Sequence, residues 1–348
     1  MIKVVINDLN KITRPLYQTF LIFITTIILF ILTLYPLKTF KNFDPAPELF
    51  IFSEAQKAKL KPIKTGFYLR NFLQFDMLKN EFIVEGIVWF IYDKSKISLD
   101  IIKNFSFSKG EFIKGEFIDK VVEQTTKIST NEELVRFNVR IKFSSNLNYK
   151  LFPLDSHKLY LAMNNKYISA KDMYFDVVQS RFVVPDSLFA FGWNKLGHEV
   201  KTGFAEFALD ETDNSKTSII PRALFSIDFI TGSFRNILLI FLPLFVVFFL
   251  SIFLFSLDPV KYREVIMTIS AATVPAILAY RFVIESISPK VAYFMLSDQI
   301  FNLFLLLSFA VFIGTLYYEK FRKRIGLLII SLHLILILSW IYLLHIWT

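Results

Sequence analysis

Residues 150–161 read KLFPLDSHKLYL. The proline in this stretch fixes one backbone angle, and Pro and Asp are both turn formers, so F-P-x-D is a stiff turn. It stands between strand-like runs, well ahead of a block of membrane-length apolar segments. Upstream, Val135, Phe137, Val139, Ile141 and Phe143 alternate with Arg136, Asn138, Arg140 and Lys142. Strict alternation predicts a strand buried on one face. Residues 66–75, 81–92, 158–163, 172–178 and 204–209 read the same way, with turn-rich joints between many of them. Strands of this kind over residues 38–232 predict an all-β sandwich.

The flanks are of another kind. Residues 16–37 carry no charge, long enough to span a bilayer. Lys3, Lys11 and Arg14 precede them, which puts residues 1–15 in the cytoplasm. The run is long for a signal-peptide core and no small-x-small site follows, so an uncleaved signal anchor is favoured over a cleaved leader. Residues 233–348 hold four more apolar segments, at about 237–257, 264–287, 293–317 and 325–347. Lys261, Arg263, Lys320, Arg322, Lys323 and Arg324 cluster in the first and third of their connections. Those connections belong in the cytoplasm, which leaves the β-domain and the C-terminus on the far side of the cell's inner (plasma) membrane. The leading anchor independently gives the same topology.

Composition narrows the function. The 348 residues are 54% hydrophobic and carry a formal charge of +9, but the basic residues form no aromatic-interleaved stripe of the kind that binds nucleic acid. Phe is abundant and Gly scarce, as an AT-rich genome produces, so Phe number alone implies no aromatic site. There is no Cys, which excludes disulfides, thiolate metal sites and Cys nucleophiles. His157, His198, His333 and His345 are far apart and make no ligand pair, and no Walker, GxSxG, HExxH or GxGxxG motif occurs. The expectation is no enzyme, no metal and no cofactor.

The second C-terminal segment, EVIMTISAATVPAILAYRFVIES, is too polar and too rich in small residues for a lipid-facing helix. At 3.6 residues per turn, Glu264, Thr268, Ala271, Ala272, Pro275, Ala279, Phe282 and Ser286 form one stripe. Ile266, Ile269, Thr273, Ile277, Tyr280 and Ile284 form the opposite one. Tight helix packing through small residues is one reading. The other is a pore wall in which Glu264, Thr268, Ala272, Pro275, Ala279 and Phe282 repeat as rings. A Glu264 ring would select cations at the inner mouth, Arg263 beside it would oppose that, and Phe282 would form an apolar constriction. Pro275 cannot donate to the carbonyl of Ala271, so a kink or local irregularity is expected. Arg281 and Asp298 need partners inside apolar segments; Glu285 for Arg281, and Arg281 with Asp298 across helices, are the candidates.

A β-domain, four helices with a small-residue second helix, and an F-P-x-D turn together resemble the pentameric ligand-gated ion channels, most closely their prokaryotic, cysteine-free members. The resemblance runs from about Lys64 to the C-terminus, and its pieces occur in the family's order. Residues 65–93 resemble the first two strands, LFPLDSHKLYL the signature loop without its flanking cysteines, and FGWNKL (191–196) a Gly-Trp segment of the later strands. RNILLIFLPLFVV (235–247), with Pro243, resembles the first channel helix, and ESISPK (285–290) the linker after the pore helix. The resemblance implies a homopentamer in the lipid bilayer, conducting inorganic ions and gated by an unidentified small ligand or by protons. It implies a coupling interface in which Phe152, Pro153 and Asp155 face residues 288–290, including Pro289 and Lys290, joined by the turn at 76–80 with Asp76 and Lys79. It places ligand contacts at Asn164, Asn165 and Tyr167, and at Phe204, Glu206, Phe207 and Asp210. The chain departs from the family in three ways. It has the extra anchor, Thr231 stands where the family has an Arg some dozen residues before Pro243 (Arg235 being the nearest), and a W-x-P element is absent. A non-conducting membrane sensor or assembly protein on the same fold is the alternative. A membrane-embedded enzyme would require Arg281, Glu285 and Asp298 to converge on a closed cavity.

Overall fold

The structure is a computed structural model and describes residues 10–76, 79–113, 121–186, 192–208, 217–231 and 234–347. Two compact units emerge: residues 42–148 with 156–232, and residues 1–41 and 233–348 together with the loop Tyr149–Asp155. The F-P-x-D loop therefore packs with the helices, although the chain on both sides of it belongs to the strands.

After a 3-10 turn at Asn10–Thr13 comes an apolar helix, α1 (Pro15–Lys38), with Pro15 in its first turn, where a missing N–H costs nothing. The β unit contains β1 (Lys61–Asp76), β2 (Glu81–Asp93), β3 (Ser106–Phe107), β4 (Gly110–Phe112), β5 (Val121–Lys127) and β6 (Glu132–Ser144). It continues with β7 (Ser156–Asn164), β8 (Met173–Asp176), β9 (Phe182–Val183), β10 (Trp193–Ala208) and β11 (Thr217–Thr231). All join one hydrogen-bonded sheet in the order β10-β11-β7-β3-β4-β6-β2-β1-β8, with β5 on β6 and β9 on β1. The alternation at 135–143 holds: Val135, Phe137, Val139, Ile141 and Phe143 are all buried, on strand β6. Residues 204–208 proved to be the end of the longer β10, residue 209 lying outside the described residues, and the pattern did not reveal β11, whose burial scarcely alternates. Residues 191 and 210 lie outside the described residues.

Aromatic rings fill the interior of the sheet. Phe67 on β1 lies 5.4 Å from Phe225 on β11, and Phe182 on β9 lies 5.0 Å from the same ring. Rings from opposite ends of the strand order therefore meet. The segment after α1 adds to this unit: Phe50 and Phe204 exchange backbone hydrogen bonds, and their rings stack at 5.3 Å. That approach requires Gly203, since a Cβ there would sit 2.1 Å from the Phe50 carbonyl oxygen.

The helical unit continues with α2 (Phe234–Phe253), α3 (Arg263–Ile287), α4 (Leu296–Leu316) and α5 (Ile325–Trp347). With α1 they make five helices long and apolar enough to cross a membrane among the described residues. The chain is thus a membrane protein by length and composition of its helices. Helix α2 packs on α3 and α4, α4 on α3 and α5, and α5 on α1. The α1–α5 seam is polar. Thr25 Oγ1 lies 2.9 Å from His333 Nδ1, and Trp340 Nε1 donates to Thr33 Oγ1 at 3.2 Å. Both contacts advance along both chains in the same sense, so α1 and α5 run parallel. Helix α3 runs from Arg263 to Ile287 with Pro275 inside it.

Candidate functional site

The loop Tyr149–Asp155 belongs to the helical unit. Leu151, Phe152, Leu154 and Asp155 are all buried, and the Phe152–Pro153 peptide is cis. A helix start leaves its first backbone N–H groups without internal acceptors. Here the loop supplies them: Leu296 N donates to the Lys150 carbonyl at 2.8 Å, and Ser297 N to the Phe152 carbonyl at 3.1 Å. Tyr149 N donates to the Tyr293 hydroxyl at 2.9 Å. These bonds join the loop to the start of α4. They fall several residues beyond 288–290, where the resemblance put its partner. Ser288 and Pro289 are buried and Lys290 is exposed.

Asp298 completes the helix start, accepting from Met295 N at 2.8 Å. Its other oxygen accepts from the Arg281 guanidinium of α3, which also bonds Glu285 at 2.8 Å and lies 5.5 Å from the Phe301 ring. Both candidate ion pairs of Arg281 are present. The three ionisable groups do converge, on a cavity of ≈ 660 Å³ walled by the segment between α3 and α4. The cavity is open rather than closed, and Arg281 is shared between the two carboxylates. One continuous set of contacts thus runs from the loop, through the start of α4, to α3.

Helix α3 divides as its sequence implied, with one exception. Ile266, Thr273, Ile277 and Ile284 are buried, joined by Ser270, which accepts from Thr315 Oγ1 at 2.9 Å. Glu264, Thr268, Ala272, Pro275, Ala279 and Phe282 are all exposed, Phe282 to 75%. Ile269, assigned to the bulky face, is exposed instead. Tyr280 is half-buried and donates its hydroxyl to the Leu239 carbonyl of α2. Arg263 reaches Glu319 at 3.7 Å.

In the β unit the proposed ligand contacts separate into two kinds. Asn164 and Asn165 are buried and internally bonded: Asn164 to Ser108 Oγ and Arg222 Nε, both at 2.7 Å, and Asn165 to the Ile101 carbonyl at 2.8 Å. Burial lowers the Arg222 guanidinium below its usual value. Tyr167 is exposed, Glu206 is exposed, Phe204 stacks on Phe50, and Lys166 Nζ lies 4.0 Å over the Phe207 ring. Asp76 Oδ1 accepts from Lys79 N at 3.2 Å within its own turn.

Sequence reasoning missed Asp44. This buried carboxylate accepts from Asn148 N and Lys158 N, both at 2.7 Å, and lies 3.2 Å from His157 Nδ1. Asn148 and Lys158 are the residues through which the chain passes into and out of the F-P-x-D loop region. One carboxylate therefore pins both limbs of the chain there. The D-P step at 44–45 was a turn signal, but nothing local to it announced partners more than a hundred residues away. No family model matches the chain, and no curated protein matches it.

Proposed function

We propose that the chain is the subunit of a homopentameric, ligand- or proton-gated channel that conducts cations. The carrying observation is the exposed face of α3. This helix is the least apolar of the five candidate spans, with a hydropathy of 1.6 against 2.0 to 3.1 for the others. Its bulky face is covered by its own subunit, while the stripe from Glu264 to Phe282 is uncovered. A carboxylate and a hydroxyl are poor company for lipid tails. Copies of the chain arranged around an axis would give that stripe water and one another as neighbours. The count of five comes from the resemblance alone.

The remaining features agree with this reading. The sheet, with rings from both ends of its strand order in contact, reads as a sandwich, and α2–α5 as the four-helix channel bundle. The parallel run of α1 and α5 requires both to cross in the same sense, as the charge pattern gives it, with the N-terminus cytoplasmic and the β-domain and C-terminus outside. The loop bonded to the start of α4, and Arg281 bonding α4 to α3, would carry a ligand-dependent shift in the β-domain to the pore helix. The ligand would act by binding the open and closed states unequally. With Arg263 reaching Glu319, Glu264 is left to set the charge of the inner mouth. We assign Arg281, Glu285 and Asp298 a structural role, Arg281 being bonded to both carboxylates.

The test is ion flux from purified protein in liposomes, across a pH series and under a salt gradient. A cation-type reversal potential that Glu264→Gln weakens is the expected result. An anion-type potential would move selectivity to Arg263. No current from protein shown to be oligomeric would favour the non-conducting sensor.

A further inference from the structure

The β unit holds a cavity of ≈ 240 Å³ between the turn of the β3–β4 hairpin, the end of β6, β7 and the segment that begins at Asp44. The described ligand contacts that the resemblance implies, from Asn164 to Phe207, do not line it. Its volume falls just below that of drug-sized ligand sites, which leaves room for one small molecule. Phe82 and Phe143 give it an apolar wall; both are buried, and their rings stack at 5.0 Å. Two of its charged lining residues are already satisfied. The Asp44 carboxylate accepts from Asn148 N and Lys158 N, and the Lys158 ammonium lies 3.2 Å from Glu199 and 3.5 Å from Asp228. Lys109 is different. It lines the cavity, and among the described residues no ion pair or hydrogen bond engages its ammonium. Its φ of 55° is a left-handed conformation that Gly or Asn adopts more readily, so the cation is placed there at a backbone cost. A second cation stands behind the lining. The Arg222 guanidinium donates to Asn164 Oδ1, to the Glu48 carbonyl and, at 3.4 Å, to the hydroxyl of Ser108, a lining residue. All three acceptors are neutral, and among the described residues no carboxylate is in contact with this charge.

We propose that this cavity binds a small organic anion, with its carboxylate on Lys109 and its apolar body against Phe82 and Phe143. An unpaired cation beside an apolar wall recognises such a ligand at both ends. One end makes charge-assisted hydrogen bonds, and the other removes apolar surface from water. Arg222 adds to the positive field from behind Ser108. A cationic ligand would meet both charges with no carboxylate to receive it, since the oxygens of Asp44 are taken. The inference uses the β unit alone and does not depend on conduction.

Calorimetric titration of the detergent-purified full chain with benzoate, and with benzamide as its uncharged isostere, tests it without any current. Benzoate should bind at least about tenfold more tightly, the factor that one hydrogen bond to a charged group supplies. Lys109→Asn should abolish that preference while suiting the left-handed backbone, so the variant should fold. Lys109→Arg should retain the preference. Lys59→Gln, which removes the same charge from an exposed site elsewhere in the β unit, should retain it too. Ala46→Trp, at another lining position, should weaken both ligands by filling the cavity. No binding of benzoate, equal binding of the two ligands, or a preference that survives Lys109→Asn would overturn the proposal. So would unaltered binding by a folded Ala46→Trp. Displacement of benzoate by inorganic phosphate at equal concentration would also overturn it, because it would show a site that reads charge without the apolar body.

Discussion

Thr25 Oγ1 and His333 Nδ1 stand 2.9 Å apart in the buried seam between α1 and α5, a contact across 308 residues of chain. With the Trp340–Thr33 bond it sets α1 parallel to α5 and makes α1 part of the helical unit rather than a detached tether. Polar side chains facing lipid would lack such partners, whereas a helix–helix bond of this kind contributes about 0.6 kcal/mol.

The natural absence of cysteine makes this pairing directly measurable. Thr25→Cys with His333→Cys should form a disulfide on mild oxidation, as should Thr33→Cys with Trp340→Cys. Thr25→Cys with Trp340→Cys should not, because one partner is displaced by about 10 Å along the helix at 1.5 Å per residue. Cross-linking of that last pair, or of none, on denaturing gels would contradict the parallel register. Mass measurement of the mature chain should find α1 retained.

Much of this architecture was legible because its signals are local. The membrane-length runs need only length and apolarity, and β6 announces itself because one face is buried and the other wet. Strand β11 was not legible: Phe225, Ile227, Phe229 and their neighbours Leu224 and Ile230 are all buried, which erases the period of two. The uncovered stripe of α3 was readable from helical spacing, but Ser270 was not placed, because its partner Thr315 comes from another helix. The spacing of Gln18, Thr25 and Thr33, by seven and eight residues, hinted at a buried face on α1. Only the long-range partners show what covers it. Asp44 shows the same limit in the β unit.

Removing the Asp44 carboxylate tests the pin at the ends of the loop. Asp44→Ala leaves the Asn148 and Lys158 backbone N–H groups without their acceptor, and each buried donor left unpaired costs about 1–3 kcal/mol. Asp44→Asn keeps one acceptor oxygen and should lose less. Chemical unfolding of the purified variants should rank them wild type, Asp44→Asn, Asp44→Ala. Equal stability of wild type and Asp44→Ala would show the pin to be dispensable.

His198 gives the β unit a pH dependence. Burial, helped by nearby Lys195, lowers its pKa from 6.5; a backbone bond to Phe182 and the charge of Asp186 oppose this only in part. The unfolded chain therefore takes up the proton first as pH falls. This contribution is complete above about pH 6.5 and is lost as pH falls through the lower folded-state value. Denaturant midpoints measured between pH 7.5 and about pH 5 should decline in wild type. They should decline less in His198→Phe, which retains a ring against Phe182. Asp93, which the Ser95 hydroxyl and Lys96 hold at about 2, titrates in a lower window and cannot produce this decline. An identical slope in His198→Phe would remove His198 as its source.

The bond between Arg281 and Asp298 joins α3 to the same helix start that receives the loop, so it should matter to both stability and coupling. The Asp298 side chain is 6% exposed and that of Arg281 30%. Removing one member of a fully buried pair costs about 3–5 kcal/mol, because a charge is left uncompensated. The partial exposure of Arg281 places this pair below that range. Arg281→Gln should thus destabilise clearly, and Asp298→Ala more so, since it also removes the acceptor for Met295 N. Glu285→Gln, at a 54% exposed carboxylate, should change stability by less than about 1 kcal/mol. A double-mutant cycle on thermal unfolding should show Arg281 and Asp298 strongly non-additive, while Arg281 and Glu285 approach additivity. If the α4 start relays the loop to the pore helix, Arg281→Gln should also shift the stimulus dependence of flux by more than Glu285→Gln does. A normal flux response from a destabilised Arg281→Gln would confine the pair to holding the helices together.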